Sequence, residues 1–150
     1  MKKESLYLDT SVPSAYYDER NKERQKETIK FFSEKIQDYE VYLSDVTIAE
    51  LEENEEPLRG ELLSLVKDFT ELLTTEEVVR LAEVYVENKI IPKNHKEDAL
   101  HIAIAIVNEI DIVTSWNLEH IVRLKTRREV NATNILKGYK TIEIVLPSEL

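Results

Sequence analysis

Two hydrophobic rhythms alternate along the chain. Short apolar bursts that read as strands are separated by longer segments in which apolar residues return every three or four positions, the spacing of a helix with one buried face. Ser5–Asp9 (Ser-Leu-Tyr-Leu-Asp) predicts a first strand. It ends at Thr10-Ser11, followed by Val12-Pro13, a helix-start pattern with proline in the first turn. Ile29, Phe32 and Ile36 predict an amphipathic helix over 21–38. Glu40–Ser44 predicts a second strand, and Asp45 or Thr47 can cap the helix through Ile48-Ala49-Glu50-Leu51. Pro57 opens a helix with Leu58, Leu62, Leu65, Val66 and Phe69 on one face, and Glu71–Thr74 predicts a brief third strand. Thr75-Glu76-Glu77 caps a helix carrying Val78, Leu81, Ala82 and Tyr85.

Lys96–Glu109 departs from this pattern. Ala99, Leu100 and residues 102–107 are all apolar, so this helix is expected inside the domain, with its alanines packing closely on a sheet. Asp111–Ser115 predicts another strand, 118–124 and 126–136 predict helices ended by Gly138, and Thr141–Leu146 predicts a last strand closed by Pro147. The alternation implies an α/β fold in three layers, a mostly parallel central sheet of about four or five strands flanked by helices. Ligands of such sheets bind beyond the carboxyl ends of the strands.

Composition narrows the chemistry. The 150 residues have the length of one domain and are 42% hydrophobic, enough for a core, so residues 1–150 are expected to form a single unit. Cysteine is absent, which excludes disulfides, thiolate zinc sites and cysteine nucleophiles. The two glycines, Gly60 and Gly138, lie far apart, so no glycine-rich phosphate cradle is available. No apolar run approaches the ~20 residues that span a bilayer, and the first residues do not form a signal peptide. A soluble cytoplasmic protein with no membrane partner is the expectation.

The net charge of −10 is uneven, at −2 over residues 1–49, −9 over 50–87 and +1 over 88–150. An acidic protein binds nucleic acid poorly unless a local basic patch serves. Arg123, Lys125, Arg127 and Arg128, with Lys93, His95 and Lys96, are the candidates; solvated helix faces are the ordinary alternative.

Three acids stand where solvated acids are not expected. Asp9 ends an apolar strand, Glu50 sits among Ile48, Ala49 and Leu51, and Asp98 opens the most buried helix. Thr114-Ser115-Trp116-Asn117, ending a late strand, belongs to the same sheet edge. Clustered half-buried carboxylates repel, and a hard dication relieves the conflict; oxygen donors without thiolate or imidazole favour Mg²⁺ or Mn²⁺ over zinc. Each acid also has a structural reading: Asp9 as a helix cap, Glu50 as one glutamate of an acidic stretch, Asp98 as a partner of the helix dipole. His101 reads as a satisfied core histidine, Trp116 as packing and His120 as an ordinary helix residue.

Leu8-Asp9-Thr10-Ser11-Val12, Val46-Thr47-Ile48-Ala49-Glu50-Leu51, Glu97-Asp98-Ala99-Leu100-His101-Ile102-Ala103 and Val113-Thr114-Ser115-Trp116-Asn117 together resemble the PIN domain, in particular the VapC-type toxin ribonucleases and their solitary relatives. The likeness runs nearly end to end, to Pro147-Ser148-Glu149-Leu150. It implies a metal-dependent endoribonuclease acting by water attack on phosphorus. Asp9 and Asp98 would be the principal Mg²⁺ (or Mn²⁺) ligands, Glu50 would complete the acidic triad, and Thr10 and Ser115 would order the site. Asn117 stands where many PIN nucleases have an acid, which implies weaker binding of a second metal and a one-metal site. RNA is expected along Lys93, Lys96, Arg123, Lys125, Arg127 and Arg128. An antitoxin protein and a homodimer are the partners the resemblance implies. The competing readings are a PIN-like module kept for RNA or protein binding, and another Mg²⁺-dependent α/β domain. The second lacks support: a dehalogenase-type phosphatase needs an acid where Ser11 stands, and no receiver-type acidic pair is evident.

Overall fold

The computed structural model describes residues 2–150 and contains five strands, all parallel, in one sheet. They are β1 (Glu4–Leu8), β2 (Tyr39–Ser44), β3 (Thr70–Leu72), β4 (Ile112–Thr114) and β5 (Glu143–Val145), in the order β3-β2-β1-β4-β5. The flanking helices are α1 (Ser11–Tyr16), α2 (Lys22–Lys30), α3 (Asp45–Glu52), α4 (Leu58–Val66), α5 (Glu76–Glu87), α6 (Lys96–Val107) and α7 (Leu124–Lys137). The α/β architecture expected from the sequence is therefore present, with five strands.

The central strand explains the layers. Leu6, Tyr7 and Leu8 are completely buried, because β1 has a covered surface on both faces. Tyr7 points toward α5 and α6 and packs with Val113 and Ile144, while Leu6, Leu8 and Ile112 pack with Val12, Phe31 and Trp116 on the opposite face. A third cluster, Leu43, Leu51, Leu62 and Val66, lies under α3 and α4. The period of two along β1 thus divides the core in two. Residues Ala99 and His101–Ile106 of α6 are all buried, as their composition predicts.

Several local expectations are corrected. The helix over 21–38 is regular only to Lys30. It widens into a π turn over Phe31–Lys35 and tightens into a 3₁₀ turn over Ile36–Asp38, so that the consecutive rings of Phe31 and Phe32 both reach one cluster. Ser44, not Asp45, caps α3: its Oγ accepts from Thr47 N–H and its own N–H donates to Thr47 Oγ1, both at 3.4 Å. Asp45 instead accepts from the backbone and hydroxyl of Thr74. No helix forms over 118–124. Asn117 Oδ1 accepts from Glu119 N–H at 3.2 Å and His120 N–H at 2.9 Å, and Asn117 O accepts from Ile121 and Val122, which turns the chain and buries Ile121 and Val122. The last helix starts at Leu124 and stops at Gly138, whose φ of +83° is the left-handed conformation that favours glycine after a helix.

This topology contains one reversal. From β1 the chain moves outward through β2 to β3, then returns to the other side of β1 for β4 and β5. The crevice between the carboxyl ends of β1 and β4 is the switch point, where doubly wound sheets bind their ligands.

Candidate functional site

Asp9 follows β1 at this switch point and is only 3% exposed. Its carboxylate is held from two sides. Oδ1 accepts from the Ser11 N–H and hydroxyl, and Oδ2 accepts from Ser115 Oγ at 2.9 Å. Ser115 follows β4, and its Oγ also accepts from Asn117 N–H, while Ser11 Oγ accepts from Trp116 N–H. Hydroxyls thus bridge the two central strand ends around one acid. Burial still dominates and raises the Asp9 carboxyl above its ordinary range, against the pull of His101, Ser11 and Ser115; the Asp98 charge adds to the rise.

Glu50 reaches the same edge from α3. Its Oε1 accepts from Thr10 Oγ1 at 2.7 Å and pairs with His101 Nε2 at 2.7 Å. His101, on the buried side of α6, is 1% exposed, and its Nδ1 lies 2.6 Å from the Tyr7 hydroxyl. That hydroxyl also lies 2.7 Å from Ser44 Oγ. A buried chain therefore runs from the α3 cap through β1 and α6 to Glu50. Burial pushes the Glu50 carboxyl up, but the hydrogen bonds from His101 and Thr10 and the His101 charge outweigh it and leave it below the usual value. Burial likewise pulls the His101 imidazole down, and the bond to Glu50 with the charges of Asp9, Glu50 and Asp98 leaves it raised. Either protonation state keeps a proton on Nε2 facing Glu50.

Asp98 lies in the first turn of α6. Its Oδ2 accepts from Asn117 Nδ2 at 3.2 Å. Burial raises its carboxyl, opposed by His101, His120, His95 and the Asn117 bond. Hydrogen bonds therefore link Asp9 through Ser115 and Asn117 to Asp98, so the sequence-predicted Asp9, Thr10, Glu50, Asp98, Ser115 and Asn117 all gather at the strand ends. The Asn117 carbonyl caps the turn over 119–120, and its amide faces the acid.

The basic candidates are a looser group. Lys93, Lys96, Arg123, Lys125 and Arg128 are exposed and Arg127 is half-buried. None of the six is in an ion pair among the described residues. Lys93 and Lys96 border an apolar groove of about 850 Å³ between α5 and α6, with Val79, Ala82, Val86 and Leu100 along its walls.

Sequence reading alone undervalued three residues, Ser11, His95 and His120. Ser11 was visible as a helix-start hydroxyl and as part of the Leu8–Val12 motif, but with no role at the site. His101, one turn beyond Asp98, reads from the sequence as a satisfied core histidine, and its partners Tyr7 and Glu50 satisfy both ring nitrogens. His95 precedes Asp98 by the same one-turn interval. His120 carried no signal, because it reaches Asp98 only through the turn that replaces the expected helix. His95, Asp98 and His120 offer ligand atoms within 4.8 Å of one another. No other such group of three His, Cys, Asp or Glu exists among the described residues, so Asp9, Glu50 and Asp98 do not converge that closely together.

The residues fit a hard dication. Asp9 and Asp98 supply oxygen donors whose carboxyls are both lifted by burial, a cost that a cation removes. Asp9 and Asp98 are the residues that could hold it, while Glu50 is committed at Oε1 to Thr10 and His101.

A family model described as PIN domain matches residues 6–115. No curated protein matches the sequence. Among solved structures, the chain is similar to VapBC2 from Rickettsia felis, bound there to a DNA fragment from the promoter, with a TM-score of 0.56 and 9% identity over 94% of this chain and 97% of that one. At that identity the likeness concerns the fold.

Proposed function

The chain belongs to the PIN domain family, and on that premise we propose that it is a VapC-like endoribonuclease that uses Mg²⁺ or Mn²⁺ to hydrolyse RNA phosphodiester bonds. The reading rests on one observation: Asp9 and Asp98, from distant parts of the chain, are joined at the switch point by a hydrogen-bond chain through Ser115 and Asn117, with both carboxyls raised by burial. When bound, the dication would polarise the phosphoryl group and acidify a water. The remaining work belongs to the protein. Ser11 and Ser115 fix both oxygens of Asp9, and Asn117 fixes Asp98. Thr10 and His101 anchor Glu50 at Oε1, which leaves Oε2 to orient a water or receive its proton. Burial of Asp9 keeps bulk solvent away from its carboxylate.

RNA is proposed to lie along Lys93, Lys96, Arg123, Lys125, Arg127 and Arg128, six cations not committed to ion pairs among the described residues. Reversing Arg127 and Arg128 to glutamate should weaken RNA binding and flatten its salt dependence; unchanged binding rejects this docking path. A protein antitoxin and a second copy of the chain are the proposed partners, and no helix among the described residues is long and apolar enough to cross a membrane.

The test is cleavage of structured RNA in Mn²⁺ by the wild type, by Asp98→Asn and by wild type in chelator. Cleavage only by the metal-loaded wild type supports the reading. Equal cleavage by Asp98→Asn assigns the activity to a contaminant. Binding without cleavage favours the second reading, an RNA-binding module. The amide of Asn117 facing Asp98 is the observation that favours it.

A further inference from the structure

Beside the acidic centre lies a cluster of different chemistry. His95 ends the 3₁₀ turn Lys93–His95, Asp98 follows it in the first turn of α6, and His120 comes from the turn after β4. His95 Nδ1 lies 3.7 Å from Asp98 Oδ2, and the two imidazoles face each other with centroids 4.1 Å apart at 38°. One ligand atom from each of the three residues falls within 4.8 Å of the others. His120 cannot easily leave: its N–H donates to Asn117 Oδ1 at 2.9 Å and its carbonyl accepts from Thr126 Oγ1 at 3.0 Å. Its side chain is 13% exposed, that of Asp98 18% and that of His95 42%, so the group is formed on the inside and open on one side.

We propose that His95, Asp98 and His120 form a binding site for a borderline divalent transition ion of the Co²⁺ or Zn²⁺ class, with open positions filled by water. Two imidazole nitrogens and one carboxylate oxygen match such ions and suit Mg²⁺ poorly, since Mg²⁺ prefers an all-oxygen shell. The 3₁₀ turn and first helical turn hold His95 and Asp98 on one face, and Asn117 ties the third ligand's turn to Asp98 itself. The site shares Asp98 with the proposed nuclease centre but needs neither Asp9 nor Glu50, and it stands whether or not the chain cleaves RNA.

The experiment titrates Co²⁺ alone into the wild type, His95→Ala, His120→Ala and Asp9→Asn, reading visible absorption and heat, with thermal melts to verify folding. The wild type should bind Co²⁺ in a form that a roughly hundredfold excess of Mg²⁺ does not displace. Each histidine variant should lose at least about tenfold in affinity, and Asp9→Asn should retain it. Co²⁺ binding that is unchanged in both folded histidine variants overturns the proposal, as does binding lost in Asp9→Asn or displaced by Mg²⁺. RNA cleavage by the wild type in Mg²⁺ and in Mn²⁺ is scored separately. Its absence beside intact Co²⁺ binding defeats the nuclease reading alone, and its presence beside absent Co²⁺ binding defeats this one alone.

Discussion

Removing a single oxygen from the central strand should loosen three elements at once. In Tyr7→Phe the ring keeps its fully buried packing and only the hydroxyl is lost. That hydroxyl lies 2.7 Å from Ser44 Oγ and 2.6 Å from His101 Nδ1. Ser44 Oγ retains the Thr47 N–H of the α3 cap. His101 Nδ1 retains nothing among the described residues and would be orphaned in a site that is 1% exposed. An unsatisfied buried polar group costs about 1–3 kcal/mol. In a chain of this length each kcal/mol lowers Tm by about 2–4 °C, so the variant should melt about 2–12 °C below the wild type. Urea denaturation should show a lower midpoint with an unchanged slope, because the surface exposed on unfolding is the same.

The same substitution tests how Glu50 is held. If the Tyr7–His101–Glu50 chain is one unit, Tyr7→Phe and Glu50→Gln should be non-additive, with a coupling energy of about 0.5–3 kcal/mol in a double-mutant cycle. The variant should also cleave RNA more slowly in Mn²⁺ without altered RNA affinity, since it touches orientation and not docking. A Tm within about 1 °C of wild type together with additive energies would refute the reasoning.

Other perturbations probe separate parts of the molecule. Ile102→Ala, at a fully buried position of α6, should cost about 2–5 kcal/mol by urea denaturation. Asp111 accepts from Ser5 N–H and Oγ and pairs with Lys140, and the Ser5 backbone bond with the Lys140 contact holds its carboxyl below 3.8. A depressed folded-state pKa contributes stability that is present above the unfolded value and lost as pH falls through the folded one. Asp111→Asn should therefore be less stable than wild type at neutral pH by no more than about 1 kcal/mol, because the side chain is 40% exposed, and the difference should vanish in melts taken below the folded value. Asn117→Asp replaces a donor to Asp98 by a like charge. It should lower Tm in chelator and recover with Mg²⁺, and a variant more stable without metal would contradict the assigned contact.

Much of the fold was legible because its signals are local. Leu6-Tyr7-Leu8 and the apolar run of α6 can be satisfied only by burial, and Thr75 and Gly138 mark helix ends by their own conformational preferences. The three acids were legible for the same reason: each interrupts or borders an apolar element, which is anomalous without tertiary context. What could not be read depends on distant partners. The helix over 118–124 failed because Asn117 uses its side-chain carbonyl to turn the backbone, and the same residues have helical periodicity on paper. The π turn at Phe31 answers to two adjacent rings sharing one cluster. His101 was read correctly as a satisfied core histidine, but its partners, Tyr7 and Glu50, lie 94 and 51 residues away.

Asn117 joins these points physically. An acid at this position would place a second negative charge against Asp98, already raised by burial, and would favour a second hard ion. The amide instead donates to Asp98, while its carbonyl fixes the turn that carries His120. The Asn117 side chain thus acts twice around the same carboxylate. Its amide leaves the surroundings of Asp98 less negative than an acid would, and its carbonyl, in a role that a carboxylate oxygen could also fill, holds the turn that carries His120. Three histidines, His101, His120 and His95, all oppose the rise of the Asp98 carboxyl. The electrostatic environment of this acid is therefore built from imidazole and amide where an all-carboxylate centre would use charge. The nitrogen donors beside Asp98 accordingly serve the proposed transition-ion site, and the oxygen donors on its Asp9 side serve the proposed Mg²⁺ or Mn²⁺ centre.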